Sequence, residues 1–298
     1  MNQIARLPRP AFAETQKRLA RFNRQRLTPH LPTSAWRDTL KSDLHFREIE
    51  GDFVEAARAE IAPMLDGMPE DADGFVAWFE ALRDYGPGQN DPLFPWLAEQ
   101  ATHEEMLWFL EQEVAGEAGF DDLVALAQVK MPARAKLEMA RNYWDEMGRG
   151  NEAGMHGPML ERLAHHINAT PTIDSTIPEA LALGNLMVAF ACERRYAFHA
   201  VGALGAIELT APTRAVYVRD GLRRLEVPPK IRQYFALHAT LDIQHSNAWN
   251  AEVLRPLVME DPARARPLAE GALLRLRAGA ACFQRYRARF GLDAMGGL

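Results

Sequence analysis

Apolar side chains recur at three- and four-residue spacing through most of the chain, and no convincing run of alternating β-branched residues interrupts them. This is the period of amphipathic helices, and it predicts an all-α fold. Before about Pro95 the helical stretches are short: residues 13–26, 36–64 and 73–85. Pro87-Gly88 and Asp91-Pro92 then mark a loop. The pattern predicts an N-terminal helical extension over residues 1–95 and a main helical domain over residues 96–298. In the main part a helix is expected over 102–128, with Thr102 as its N-cap and Glu104 and Glu105 in its first turn. Pro132 opens the next, which reaches Glu146, where Gly148, Gly150 and Gly154 break it. A helix follows near 160–167, then a long apolar one over 178–208, and Pro212 begins another that runs through Leu225. Pro228-Pro229 opens a helix to about Met259, and Asp261-Pro262 caps a last one reaching Arg287.

Composition narrows the class. The 298 residues are 48% hydrophobic and 25% charged, ordinary for a globular chain. A net charge of −6 gives no general nucleic-acid footprint. No uncharged apolar run of membrane-spanning length and no secretory leader are visible, so a cytoplasmic location is expected. Cys192 and Cys282 lie far apart in apolar stretches and read as two buried thiols. The segment Lys17 to Arg26 reads as the solvated face of a helix.

The chemistry concentrates near the C-terminal third. His238, Asp242 and His245 stand four and seven residues apart, so a helix carries all three on one stripe. Two imidazoles and a carboxylate suit a redox-active iron that keeps positions open. Further candidates stand upstream. Glu146 and His156 flank the glycine-rich break, whose flexibility lets both side chains turn to one centre. Glu208 sits in an apolar run, where a lone carboxylate needs a partner. Glu113 and Glu117 are one turn apart. If their helix pairs antiparallel with the helix ending at Glu146, Glu117 lies level with Glu146.

The order Glu, Asp-Glu-x-Gly-x-Gly-x5-His, Glu, His-x3-Asp-x2-His resembles the heme-oxygenase-like diiron oxidases, also called iron-containing redox enzymes. The resemblance covers roughly residues 100–290. It implies a helical bundle of about seven core helices. By it the iron ligands are Glu146, His156, Glu208, His238, Asp242 and His245, with Glu117 as a further carboxylate and Glu113 its competitor. It also implies two Fe ions cycling between Fe(II) and Fe(III), a manganese–iron pair being the variant on the same side chains. The partners implied are O2, an external electron donor and a small-molecule substrate, oxidised by N-oxygenation of an amine or by oxidative C–C cleavage. No nucleic acid or membrane partner is expected. The N-terminal helices are the candidate contact for a homodimer.

Two other readings keep the fold: a cofactorless or thiaminase-like enzyme, and a non-catalytic helical binding protein. No Glu-x-x-His, no His-Glu-x-x-His and no phosphate-binding glycine loop occurs. His165-His166 reads as a solvent-facing pair, because adjacent helical residues point about 100° apart. Glu193-Arg194-Arg195 reads as a charged patch, in which an arginine could hold a substrate carboxylate. Trp96, Trp108, Trp144 and Trp249 are expected in the core or in a pocket wall.

Overall fold

A computed structural model describes residues 9–116 and 119–292. Among them the chain is helical with no strand. The N-terminal third forms α1 (Arg9–Leu27), α2 (Trp36–Ile61) and α3 (Ala72–Tyr85). Then come α4 (Leu93–Glu99), α5 (His103–Gly116), α6 (Phe120–Ala127), α7 (Ala133–Glu146) and α8 (His156–His166). The remainder holds α9 (Pro178–Cys192), α10 (Ala197–Arg224), α11 (Gln233–Trp249), α12 (Arg255–Glu260) and α13 (Ala265–Phe290).

Local chemistry explains the boundaries. Thr102 and Glu105 form a reciprocal cap at α5: the Thr102 N–H donates to Glu105 Oε2 at 2.8 Å, and the Glu105 N–H donates to Thr102 Oγ1 at 3.3 Å. Asp71 caps α3 by accepting from the Gly74 N–H. The helix expected over 102–128 is two helices, because Gly119 takes a left-handed φ of 72° and resets the chain direction. It is therefore α6, not α5, that packs on α7.

The expectation that Pro212 opens a helix is also corrected. Glu208 does not end a helix either: α10 runs from Ala197 through Pro212 to Arg224, with Glu208 in its middle. The break falls earlier, at Glu193, whose backbone is extended. Pro212 lacks an N–H, so the Glu208 carbonyl loses its usual helical donor. After Trp249 the backbone widens into a π-helix over Asn250–Leu254 before α12.

The N-terminal helices share the core with the rest. Val54 and Ile61 of α2 and Phe75 and Phe79 of α3 pack in one apolar cluster with Val201 and Leu204 of α10 and Leu268 and Leu273 of α13. Polar links reinforce this: Arg58 donates to Glu270 Oε2 at 2.8 Å, and Arg277 to Glu60 Oε2 at 2.6 Å. The tightest approach is between α10 and α13. A Cβ at Gly202 would lie 1.9 Å from the Leu268 carbonyl oxygen, and one at Gly271 would lie 2.0 Å from that of His199. Only glycine lets the two backbones meet there. No helix among the described residues is long and apolar enough to cross a membrane.

Candidate metal centre

Four helices deliver the polar cluster: the last residue of α7, the first of α8, the middle of α10 and one stripe of α11. The loop between α7 and α8 makes the first pair possible. Gly148, Arg149 and Gly150 all take positive φ, at 60°, 53° and 84°. A Cβ on Gly148 would stand 2.6 Å from the Gly154 carbonyl carbon, so the loop doubles back on its own main chain. Glu146 and His156 are thereby joined across ten residues, Glu146 Oε2 to His156 Nδ1 at 2.8 Å.

On α11, His238, Asp242 and His245 are all buried. His238 Nδ1 contacts Asp242 Oδ1 at 2.9 Å, the i to i+4 contact its spacing predicts. His245 Nδ1 lies 3.4 Å from Glu208 Oε2 and 3.6 Å from Glu146 Oε1. Its other nitrogen, Nε2, meets Asp145 Oδ2 at 3.2 Å. Asp145 is pinned in turn by Arg149 Nε at 2.6 Å. Asn142 donates to Glu208 Oε1 at 2.6 Å, and Tyr234 Oη meets His156 Nε2 at 3.1 Å.

Two triplets offer donor atoms all within 4.8 Å of one another: Glu146, His156 and His238, and Glu146, Asp242 and His245. Glu146 belongs to both. Two buried nitrogens, His238 Nε2 and His245 Nδ1, make no hydrogen bond. A buried polar atom without a partner is costly, and two imidazole nitrogens among carboxylates fit metal ions in chemistry as well as position. The opposite ring nitrogens donate to Asp242 and Asp145, which fixes both rings as the partners of metal-bound histidines do.

The electrostatics agree. Burial, together with the Asp242 and Glu146 charges, raises Glu208 to about 7 against the pull of His245. Burial alone would lower His245, but Glu208, Glu146 and Asp145 raise it to about 9. Burial would raise Glu146, yet the imidazoles of His156, His238 and His245 hold it below the usual carboxylate range. Without metal the cluster therefore retains protons that cations would displace.

The structure brings together Glu146, His156, Glu208, His238, Asp242 and His245. Glu113 stands apart from the triplets: its Oε1 accepts from the Tyr286 hydroxyl at 3.0 Å, and it lines the cavity beside the cluster. Glu117 lies outside the described residues. Sequence reasoning missed Asp145, Asn142 and Tyr234. The last two stand one helical turn before Glu146 and His238, so the same i to i+4 rule would have found them. Trp144 is exposed, not in a pocket wall. Arg194 donates to the Val129 carbonyl at 2.5 Å and Arg195 lies over the Tyr196 ring. The guanidinium groups at the cavity are those of Arg214 and Arg275. His165 and His166 are exposed, as their adjacency implies.

Residues 107–280 match the protein family described as iron-containing redox enzymes. No curated protein matches the sequence. Among solved structures, the chain is similar to a CADD-like protein of unknown function from Nostoc punctiforme, with a TM-score of 0.54 at 15% identity over 76% of this chain and 98% of that one. A second crystal structure of the Nostoc protein gives 0.54 at 18% identity, over 73% and 97%. A domain of unknown function with a heme oxygenase-like fold from Shewanella denitrificans gives 0.50 at 13% identity, over 76% and 94%. These likenesses place the fold as heme oxygenase-like.

Proposed function

The chain belongs to the family of iron-containing redox enzymes, and from that premise we propose that it is a non-heme diiron oxidase or oxygenase. It takes O2, electrons from an external donor and a small organic substrate, which it oxidises at nitrogen or by breaking a C–C bond. The observation that carries the reading is the pair of donor triplets sharing Glu146, each containing a buried histidine with a ring nitrogen that makes no hydrogen bond.

Glu146, His156 and His238 would hold one iron. Glu146, Asp242 and His245, with Glu208 beside His245, would hold the other. When bound, the irons supply the redox capacity for dioxygen. The chain's own residues do the rest. Asp145 fixes the His245 ring so that Nδ1 faces Glu146 and Glu208, and Arg149 fixes Asp145. Asn142 orients Glu208 through Oε1. Tyr234 places a hydroxyl against His156 Nε2, where it can hold a proton at the edge of the cavity. Phe94, Phe109, Phe120 and Phe235 wall that cavity and limit water.

Anaerobic loading with Fe(II), followed by metal analysis and Mössbauer spectroscopy, tests the reading. About two irons per chain are expected, with O2 consumed on mixing. His245→Ala should lose one of the two. Wild-type protein that takes up no iron beyond weak surface binding, or that consumes no O2 with any reductant, would overturn the proposal. Loading with Mn(II) and Fe(II) together tells the mixed-metal variant apart, because it uses the same side chains.

A further inference from the structure

Arg214 is a half-buried cation that lines two cavities. It lines the cavity beside the metal cluster, about 110 Å³ in volume. It also lines a second cavity of about 280 Å³ between the 83–95 region and α10. Phe94 is the other residue common to both, so Phe94 and Arg214 form the partition between them. The second cavity reaches the surface at Arg83, Asp84 and Asn90, all exposed.

The partners of Arg214 do not balance its charge. Its Nη2 donates to the Thr210 hydroxyl at 2.9 Å, a neutral acceptor one turn back on the same helix. The Phe283 ring lies under the guanidinium at 5.5 Å. No carboxylate among the described residues comes within 4.0 Å of its nitrogens. Burial, with the like charge of Arg275, pushes Arg214 down to about 9, and the more distant Glu113 offsets this only in part. A half-buried guanidinium whose one hydrogen-bond acceptor is neutral keeps donors open to an anion. Its planar fork matches a carboxylate in two parallel hydrogen bonds.

We propose that Arg214 is the residue that reads the substrate: it pairs with the carboxylate of a small carboxylic acid that reaches the metal cavity past Phe94. Glu208 and Arg214 are six residues apart on α10, about 9 Å along the axis. Ile207, Ala211 and Ala215 line the cavity along that helix, an apolar wall for a short carbon chain. The space holds on the order of ten water molecules, which sets the size of the occupant. What happens to that acid rests on the functional reading above. Binding is tested on metal-free protein, so that anion recognition and iron chemistry can fail separately.

Isothermal titration of metal-free protein with hexanoate, hexan-1-ol, hexylamine and methyl phosphate provides the test. Hexanoate should bind, and the alcohol and amine should bind at least about tenfold more weakly. Arg214→Gln should lose about tenfold for hexanoate, and Arg214→Lys should recover part of it, as a point charge without the fork. Unchanged circular dichroism and Co(II) uptake in the variants separate this loss from misfolding. If the glutamine variant does not fold, the lysine variant and the ligand series decide. No hexanoate binding, equal binding of the alcohol, a preference for methyl phosphate, or full affinity in both variants would each overturn the proposal.

Discussion

The α10–α13 crossing admits a sharp test through Gly202→Ala. The new methyl would start 1.9 Å from the Leu268 carbonyl oxygen and 2.7 Å from its carbon, against 3.4–4 Å for ordinary contact. The obstacle is backbone, so no side chain can rotate away, and relief requires the helices to part by about 1.5 Å at that point. Overpacking of this kind costs about 3 kcal/mol or more. Alanine returns about 1 kcal/mol of helix propensity. The net loss should be about 2–4 kcal/mol, a fall of on the order of 5–10 °C in Tm. Gly157→Ala is the control: nothing lies within 4 Å of its added carbon, and it should be neutral or stabilising by up to about 1 kcal/mol. Gly202→Ala combined with Gly271→Ala should cost less than the sum of the singles, because opening the crossing for one methyl makes room for the other. Urea unfolding of metal-free wild type and the four variants, Gly271→Ala alone included, reads all of this. A Gly202→Ala protein as stable as the Gly157→Ala control would refute the reasoning.

Other consequences concern the site and its supports. Asp145→Asn should weaken metal binding by about 10–100-fold, because His245 loses the carboxylate that fixes its ring; competition with a chelating indicator measures it, and an unchanged affinity would remove Asp145 from the centre. Gly148→Ala should lower metal stoichiometry at either triplet containing Glu146, because the loop could no longer double back; full loading would mean that the loop is not what joins Glu146 to His156. Glu270 is held down to about 2 by His199 and Arg58 despite burial. Its folded pKa is depressed, so its contribution is present above the unfolded value near 4.5 and fades as pH falls toward about 2. Between pH 6 and pH 3 metal-free wild type should lose about 2 kcal/mol that Glu270→Gln does not lose, as denaturant titration at the two pH values will show.

Much of this architecture was legible in the sequence where a rule is local. The stripe on α11 followed from spacing alone, and the Thr102 and Asp261 caps from residue type. Pairing between helices was less legible. Proline at 212 reads as a helix start, because propensity counts the missing N–H but not the packing on both sides that carries α10 through it. The break at Gly119 needed a backbone angle that glycine permits but does not announce. Asp145 was hidden by its neighbour: beside a plausible ligand at Glu146, an adjacent carboxylate reads as surface charge until the loop turns it onto His245. Arg214 gave no local signal, because its significance lies in the company that α4, α5 and α13 bring to it.

The ties between the N-terminal helices and α13 have a consequence for biosynthesis. Arg58 meets Glu270 across 212 positions, and Glu60 meets Arg277 across 217. Neither link exists until α13 has left the ribosome, by which time every helix that carries a metal-capable side chain has already been made. Such distant pairings close slowly. During that interval α2, α3 and α10 expose the apolar faces that α13 will cover, and α10 lacks the helix that buttresses it on the side of Gly202. α10, which carries Glu208, therefore reaches its final packing only when α13 docks on it, so the frame around the metal-capable cluster is completed late in the life of the nascent chain.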